Sequence, residues 1–341
     1  ARVVKIDSLH NIKGADAIEA AAIGGWRVVV KKGEYSQDDL VIFCEVDSWV
    51  PTSIAPFLTK AGHFPKTYND VEGERLRTIK LRGQISQGLL LPLNVLFNKM
   101  NAQEALQIKE GQDVSALLGI TKWEPPAEFQ AANTKGSFPH FIPKTDQERI
   151  QNLKIDLERW NEKGEEFQVT EKMDGSSMTV FIKDGEVGVC SRNLELKDDG
   201  SSNFWETAKK QGLVDFLLSV YADGAVEIAL QGELVGGSIQ GNAYKVEGFK
   251  FFLYDVFDIK TQQYLIPAAT ELLAKTNGIQ HVPVMGYVKM QGNSIEDLLQ
   301  DAEGKSQVGA KPEREGLVFK SMNGKDSFKV ISNKWLLKTG G

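Results

Sequence analysis

A short polar stretch between two predicted strands constrains this chain more than any other feature. Residues 171–177, with the sequence EKMDGSS, follow the strand-like run 167–170 and precede the apolar run 178–183. A lysine near a strand end, an aspartate two residues later and then a glycine place an amine, a carboxylate and accessible backbone at one turn. Such a turn suits nucleophilic attack on a phosphate, with the carboxylate holding a metal-bound water. The alternative is a polar hairpin turn with an exposed lysine, since K-x-D-G arises by chance in roughly one chain in ten of this length.

Length and composition indicate two domains of ordinary globular type. The 341 residues exceed one typical core, and 25% are charged and 41% hydrophobic. We predict neither a membrane span nor a secretory signal, because there is no run of eighteen apolar residues and no basic-then-apolar leader. The two cysteines, Cys44 and Cys190, indicate an intracellular protein, cytoplasmic or nuclear. The net charge of −6 argues against general coating of nucleic acid but leaves room for a local basic groove.

Residues 1–123 are predicted to form an OB-like β-barrel domain with a helical extension. Short β-branched runs separated by glycine and proline are typical of small barrels. The leucines of 94–120 predict a helical region after the last strand. On the run 76–83, Thr78, Lys80 and Arg82 share one face. That face suits phosphates, although an ordinary solvated strand explains it equally well.

A polar, proline-containing linker is predicted at 124–140, followed by a second domain at 141–341. The capping-box pattern at 145–148 predicts the start of a helix whose apolar residues extend to Trp160. Strand-like runs then alternate with helical segments along the rest of the chain. We therefore expect an α+β protein whose second domain has antiparallel sheets flanked by helices.

Residues downstream of Lys172 complete a set that attack by a lysine on a phosphate requires. A lysine pKa near 10.4 must fall by about three to reach neutrality, which costs about 4 kcal/mol, and nearby cations and burial supply that bias. Carboxylates that follow strands beside glycine or serine suit the waters of Mg²⁺. Lysines near the C-terminus suit the charge of the α-phosphate, and an aromatic strand suits a purine. The candidates are Asp174, Glu233 and Glu315, then Lys329 and Lys334, then Phe252 and Tyr254.

Each of these residues also has an ordinary structural explanation as a turn, surface or core residue. Their order across about 160 residues argues against a coincidence of independent explanations. In that order the stretches resemble the motifs of covalent nucleotidyltransferases, the superfamily of ATP-dependent polynucleotide ligases and mRNA capping enzymes. The matching stretches are 172–175, 191–193, 232–234, 252–255, 315–318 and 328–329.

Further stretches are similar to ATP-dependent RNA ligases in particular, namely 144–149, 231–234 and 239–242. The N-terminal part, with Gly25-Trp26 and residues 81–88, resembles the OB-like domain that precedes the ligase domain in one RNA ligase family. Capping enzymes and DNA ligases typically carry an OB domain after the last motif, whereas only twelve residues follow Lys329 here. The layout therefore favours an RNA ligase.

The resemblance implies a three-step reaction with ATP as AMP donor and Mg²⁺ or Mn²⁺ as cofactor. A lysyl-AMP intermediate forms, AMP moves to an RNA 5′-phosphate, and a 3′-OH displaces AMP. The implied partner is RNA or an RNA-containing nicked duplex, in RNA repair, and we expect a monomer. The alternatives are a GTP-dependent guanylyltransferase of the mRNA-capping type and a catalytically dead RNA-binding protein.

The resemblance also implies roles for individual residues. Lys172 would be the nucleophile, and three carboxylates would organise the metal, largely through water, or the ribose. Arg192 would contact the nucleotide or the 5′-phosphate, Lys329 the α-phosphate and Glu171 the adenine. The implied catalytic residues are Lys172, Asp174, Arg192, Glu233, Glu315 and Lys329. The implied nucleotide-binding residues are Glu171, Gly175, Asn193, Phe252, Tyr254, Lys334 and Arg149.

One departure from the family pattern concerns the last motif. Many relatives have K-x-K there, whereas Ile331 stands at the second lysine position of this chain. Lys334 is the candidate replacement from farther along. A separate hypothesis assigns basic residues to the pyrophosphate leaving group or the nucleic acid, with Arg77, Lys80, Arg82 and Arg149 as candidates.

Overall fold

The computed structural model describes residues 1–124 and 133–340 and divides them between two units. Within these residues the first unit comprises 1–124, 151–154 and 336–340, and the second comprises 133–150 and 155–335. The linker predicted at 124–140 falls largely on 125–132, which lie outside the described residues, so the domain borders stay a prediction. The sequence patterns did not indicate that two short, distant segments join the first unit.

The first unit consists mainly of short antiparallel strands. They are β1 Arg2–Lys5, β2 Ser8–Asn11, β3 Ile18–Ile23, β4 Trp26–Lys31, β5 Leu40–Cys44, β6 Ser48–Pro51, β7 Lys66–Tyr68, β8 Val71–Arg75, β9 Thr78–Leu81, β10 Gln84–Gln87, β11 Leu89–Pro92 and β12 Thr121–Lys122. The sheets have the orders β1-β5-β11, β2-β3-β4 and β12-β6-β8-β7, and β9 pairs with β10. Among the described residues these sheets do not close into one hydrogen-bonded barrel. β3, β5 and β6 are buried along most of their length, whereas β4 alternates between buried and partly exposed residues. In the interior Trp26 packs on Phe43 with ring centroids 5.7 Å apart.

The helical region predicted over 94–120 consists of three short helices instead of one continuous segment. They are α1 Asn94–Phe97, α2 Ala102–Leu106 and α3 Ser115–Leu118. Asn101 accepts a hydrogen bond from the backbone of Glu104 and so starts a new helix within the segment. Gly119 ends the last helix in the left-handed conformation, with φ at 66°. The leucine pattern was correct in type but could not show these interruptions.

The β9–β10 hairpin exposes both of its faces. Lys80 and Arg82 are exposed, as the sequence suggested, whereas Thr78 on the same strand is buried. On the opposite face Ile79 is 47% exposed and Leu81 is 39% exposed. The hairpin therefore presents basic and apolar side chains to solvent together.

The second unit contains two larger sheets. Its strands are β13 Thr134–Ser137, β14 Glu148–Arg149, β15 Glu166–Lys172, β16 Ser176–Lys183, β17 Glu186–Cys190, β18 Leu194–Leu196, β19 Ile228–Gly236, β20 Phe249–Asp258, β21 Gln263–Tyr264, β22 Val284–Lys289, β23 Gly316–Ser321 and β24 Ser327–Ile331. A seven-stranded antiparallel sheet has the order β13-β18-β17-β16-β19-β20-β21. A five-stranded sheet has the order β14-β24-β23-β15-β22, and β14 is parallel to β24. The predicted antiparallel sheets are thus present, with one short parallel pair.

Helices cover the outer faces of these sheets. The remaining helices of the chain are α4 Lys154–Lys163, α5 Asn203–Lys210, α6 Leu213–Gly224, α7 Pro267–Thr276, α8 Ile295–Asp301 and α9 Asn333–Thr339. Apolar residues of α5, α6 and α7 share one core with the larger sheet. From α4, Trp160 stacks on Phe328 of the smaller sheet at 5.0 Å and meets Phe167 edge-on at 5.2 Å. No helix in the described ranges is long and apolar enough to cross a membrane.

The helix predicted to start at the capping box 145–148 is wrong at its N-terminus. The hydroxyl of Thr145 hydrogen-bonds that of Tyr254 at 2.8 Å, so it does not cap a helix. Glu148–Arg149 form β14, because their backbone pairs with β24. The helix begins only at Lys154, after a 3-10 turn at Ile150–Asn152. Long-range pairing overrode the local capping pattern.

Candidate active site

Lys172 ends β15 beside the carboxylate that the sequence assigned to the same site. It pairs with Gly316 across the β15–β23 ladder, and Glu315 directly precedes that glycine. The Lys172 Nζ atom donates to Glu315 Oε1 at 2.7 Å. The two side chains are 26% and 13% exposed. Strand pairing therefore brings together two residues that lie 143 positions apart in the chain.

The face of the smaller sheet that carries Lys172 is rich in cations. Directly paired residues of neighbouring strands project to the same face. Val318, two residues beyond Gly316, pairs with Lys329 of β24, and Lys329 pairs with Arg149 of β14. Lys172, Lys329 and Arg149 therefore share one face. The structure brings these three predicted residues together.

The larger sheet contributes Glu233 and the predicted aromatic residues. Glu233 on β19 lies between Ser177 and Phe252 on the neighbouring strands, in direct register with both. The two sheets are joined by an ion pair in which Lys320 Nζ donates to Asp255 Oδ1 at 2.7 Å. This pair joins β23 of the smaller sheet to β20 of the larger sheet. The face of the smaller sheet that carries Lys172 therefore lies opposite the face of the larger sheet that carries Glu233.

Burial and charge shift the pKa values of the clustered groups upward. Burial lowers the pKa of the Lys172 amine, but Glu315 and Glu233 together raise it above its ordinary value. Burial raises the pKa of Asp174 to about 7, with Glu315 adding to the effect and Lys172 opposing it. Burial likewise raises the pKa of Glu233 to about 8. The amine is therefore a cation held among carboxyl groups, and its pKa is raised, whereas attack on phosphorus requires a lowered pKa.

Three carboxyl groups in this arrangement fit a divalent cation that is held mainly through water. Across 1–124 and 133–340, no three His, Cys, Asp or Glu side chains form a group that could grip a metal ion directly. Asp174 and Glu233 nevertheless have pKa values raised by burial and by neighbouring carboxylates, and a cation would relieve that cost. Mg²⁺ keeps several of its waters when it binds to proteins. The donor set therefore agrees with the predicted water-mediated site.

Glu171, the residue before the proposed nucleophile, is buried, and only one of its two carboxyl oxygens accepts a hydrogen bond in the described part of the chain. It is 1% exposed, and its Oε2 atom accepts a hydrogen bond from the backbone N–H of Gln307 at 2.8 Å. Its Oε1 atom has no hydrogen-bond partner within the described part of the chain. Burial raises the pKa of this carboxyl group. A buried acceptor without a donor is costly, so a donor from a ligand would stabilise it.

A carboxylate that sequence reasoning missed links two of the predicted cations. Asp146 Oδ1 accepts from Lys329 Nζ at 3.0 Å, and Asp146 Oδ2 lies 3.7 Å from Arg192. Burial lowers the pKa of Lys329, with Asp146 opposing the shift. Asp146 belongs to the stretch interpreted as a capping box, so that local pattern hid its long-range contact.

Comparison with known proteins identifies the family. The RNA ligase family model matches residues 165–334, and an OB-fold domain model matches residues 1–93. Among solved structures, the chain is similar to the Naegleria gruberi RNA ligase with pyrophosphate, at 39% identity and a TM-score of 0.88 over 99% of this chain and 98% of that chain. A lysine-to-alanine variant of that ligase with ATP and Mn and a glutamate-to-alanine variant with AMP and Mn each give a TM-score of 0.89, at the same identity and coverage. No curated protein matches. The chain belongs to the RNA ligase family.

Membership in the RNA ligase family confirms the resemblance seen in the motifs. It also confirms the predicted α+β class with an OB-like N-terminal part, because the OB-fold match lies within the first unit. The match to the RNA ligase model begins shortly before β15 and ends within α9. It therefore contains the Lys172–Glu315 pair and Glu233.

Gly175 of this RNA ligase is needed for a reason that the sequence did not reveal. A Cβ atom there would lie 2.5 Å from the Leu234 carbonyl oxygen and 2.8 Å from Glu233 Cγ. The backbone of Gly175 also hydrogen-bonds the Glu233 carboxyl group. The close approach that the structure shows at Gly175 is therefore to β19. Its predicted part in nucleotide binding stays a prediction.

The other predicted nucleotide-binding residues are not all gathered around Lys172. Lys334 is 59% exposed and lies 3.7 Å from Glu313, and no described contact joins it to the central carboxylates. The side chain of Asn193 accepts from Lys144 at 2.7 Å. Phe252 is buried in an apolar cluster, whereas Tyr254 lies under Lys320, with the amine 5.4 Å from the ring centroid. Their roles stay predictions.

Proposed function

We propose that this RNA ligase acts through a lysyl-AMP intermediate on Lys172, with ATP as the AMP donor. The observation that carries the proposal is the 2.7 Å pair between Lys172 and Glu315, set among further carboxyl groups and facing cations. Lys172 Nζ attacks the α-phosphorus of ATP, the N–P bond forms, and the bond to pyrophosphate breaks. An oxygen of the RNA 5′-phosphate then displaces Lys172 from AMP, and the 3′-OH finally displaces AMP to join the strands.

The charges of the site favour this order of events. The Lys172 pKa is raised chiefly because the neighbouring Glu315 carboxylate stabilises the ammonium ion. A divalent metal held through water by Asp174, Glu233 and Glu315 would add positive charge that offsets those carboxylates and stabilises the α-phosphate. That charge favours loss of the Lys172 proton when substrate is bound. Lys329 and Arg149, which share a face with Lys172, would neutralise phosphate charge as it develops.

Glu171 supports ATP over GTP as the nucleotide. Its buried, unpartnered Oε1 atom can accept a hydrogen bond from an amino group. Adenine carries an amino group on its six-membered ring where guanine carries a carbonyl oxygen. An acceptor facing the 6-position of the base would pair with the adenine amino group, whereas the guanine carbonyl oxygen at that position offers it no hydrogen.

The experiment is to incubate the protein with radiolabelled ATP, or separately with GTP, plus magnesium, and to measure label on the denatured polypeptide. We expect label from ATP in the wild type, none in Lys172→Ala, and normal labelling in the control Lys209→Ala. Lys209 is a matched control because its surface ion pair with Asp198 lies outside the cluster. Label from GTP alone would move the protein to the capping type, and no label from either nucleotide would overturn the lysyl-AMP step.

We further propose that the substrate is a 3′-OH/5′-phosphate nick in an RNA-containing duplex, and that the protein acts as a monomer. Sealing of a nicked duplex should exceed sealing of the same strands when single-stranded, and light scattering should give the mass of one chain. Equal sealing of both substrates would refute the nick preference.

A further inference from the structure

A buried tyrosine outside the recognised motifs lies against the turn that carries the nucleophile. Tyr244 is 2% exposed and follows the 3-10 turn Ile239–Asn242. Its hydroxyl oxygen accepts a hydrogen bond from the backbone N–H of Asp174 at 2.7 Å. Asp174 stands two residues after Lys172. The hydroxyl thus fixes the backbone of the turn between the nucleophile and its neighbouring carboxylate.

The segment that carries Tyr244 is held in an unfavourable backbone conformation. Gln240 and Lys245 have φ values of 46° and 51°, in the left-handed region that residues other than glycine, asparagine and aspartate rarely adopt. The Asn242 side chain clasps the segment, because it donates to the Val246 carbonyl oxygen at 3.0 Å and accepts from the Val246 N–H at 3.1 Å. Strain of this kind persists only where the surroundings enforce it, and it is concentrated at functional sites.

A second segment locks Tyr244 from the other side. The N–H of Ala310 donates to the Tyr244 carbonyl oxygen at 2.7 Å. A Cβ atom at Gly309 would lie only 1.9 Å from the same oxygen, so this position admits no side chain. The segment also provides the Gln307 N–H that binds Glu171. Two loops therefore hold the residues on either side of Lys172, one through Glu171 and the other through the Tyr244 hydroxyl.

We propose that Tyr244 is a positioning residue for lysine adenylylation. Its hydroxyl holds the Asp174 amide, so that the Lys172 amine and the Asp174 carboxyl group are directed at the same phosphate. Tyr244 itself makes and breaks no covalent bond. This inference rests on the proposed lysyl-AMP step.

The test compares Tyr244→Phe with the wild type in single-turnover formation of lysyl-AMP over a range of ATP concentrations. The substitution removes only the hydroxyl oxygen and leaves the Asp174 N–H without its acceptor. We expect the maximal rate to fall about tenfold, equivalent to about 1.4 kcal/mol, with the half-saturating ATP concentration changed by less than about twofold. Tyr35→Phe is the matched control, because the Tyr35 hydroxyl faces the Leu90 carbonyl oxygen in the first unit. It should leave the maximal rate unchanged.

Two further measurements separate positioning from a loss of folding. Sealing of pre-adenylylated RNA does not use Lys172 as nucleophile, so Tyr244→Phe should slow it by less than about threefold. Asn242→Ala, which loosens the segment and keeps the hydroxyl, should lower the maximal rate of lysyl-AMP formation in the same direction. An unchanged maximal rate in Tyr244→Phe, or equal losses in both reactions, would overturn the inference. If the wild type itself forms no lysyl-AMP, the proposed function is wrong. If the wild type is labelled and Tyr244→Phe is labelled at the same rate, only the proposed role of Tyr244 is wrong.

Discussion

Replacing Glu233 with glutamine is predicted to make the free energy of unfolding less dependent on pH between about pH 5 and pH 8. Burial raises the pKa of Glu233 to about 8 from an ordinary value of 4.5. In this range the folded protein keeps a proton on Glu233 while the unfolded chain has released it. Folding therefore takes up a proton, and the stability of the wild type must fall as pH rises. Glutamine carries no such proton and removes this contribution.

The size of the effect follows from proton linkage. Each proton bound by the folded state and released by the unfolded state lowers the free energy of unfolding by about 1.4 kcal/mol per pH unit. Over the range from about pH 5 to pH 8 the Glu233 contribution is therefore at most about 4 kcal/mol. Asp174, whose pKa is raised to about 7, adds a second contribution of the same sign in both proteins. The difference between wild type and variant reports the Glu233 proton together with its electrostatic coupling to Lys172, Glu315 and Asp174.

The assay is urea unfolding of nucleotide-free, metal-free protein at several pH values. We expect the wild type to lose about 1 kcal/mol per pH unit relative to Glu233→Gln. Glu227→Gln is the control, because Glu227 lies just before the same strand and accepts a hydrogen bond from the backbone of Asp184. It should run parallel to the wild type. Parallel curves for Glu233→Gln, or a difference of the opposite sign, would refute our account of the site's charges.

Three substitutions test the packing that supports the site. Gly175→Ala should reduce lysyl-AMP labelling at least about tenfold, because the new Cβ would displace Glu233; normal labelling would contradict this reading of the contact. Lys320→Met should lower the free energy of unfolding by about 3–5 kcal/mol by leaving Asp255 buried without its cation, and Asp255→Leu in the same chain should restore most of the loss. A double variant as unstable as the single one would argue against the charge explanation. Trp160→Ala should cost about 3–5 kcal/mol in urea unfolding because it removes the ring stacked on Phe328, and a loss below about 1 kcal/mol would contradict it.

The residues at the centre of the site were predictable because each lies in or next to a strand that can be predicted from a short run of sequence. Lys172, Glu233 and Glu315 all lie in or next to short runs of β-forming residues that read clearly from the sequence. Their meeting depends on register, which the motif order indicated only through resemblance. The structure supplies the physical reason: β15 pairs with β23 so that Lys172 falls opposite Gly316. The type and order of the strands and helices could therefore be predicted from the sequence, but the distances between the site residues could not.

The residues that we missed make long-range contacts, and they lie in segments whose local sequence pattern indicated a different structure or none. Asp146 stood in an apparent capping box, yet its carboxylate binds Lys329, 183 positions away. Tyr244 lay in a glycine-containing stretch with no strand or helix signal, and its hydroxyl reaches Asp174, 70 positions earlier. Side chains of this kind carry no periodicity that a sequence pattern could detect. The raised pKa of Lys172 was missed for a related reason, since carboxylates close enough to outweigh burial can be recognised only once the strands are paired.

The departure in the last motif has a structural counterpart that bears on which cation assists the reaction. Ile331 pairs with Gly316 and is 4% exposed, so a buried apolar side chain stands on the Lys172 face at this position. Lys334, the replacement suggested by the sequence, is largely exposed and paired with Glu313. Arg149 instead stands in direct register with Lys329, and its charge is close enough to help lower the Lys329 pKa. A second cation on this face is therefore already present, and it comes from a parallel strand upstream of the nucleophile, where no pattern within the last motif would locate it.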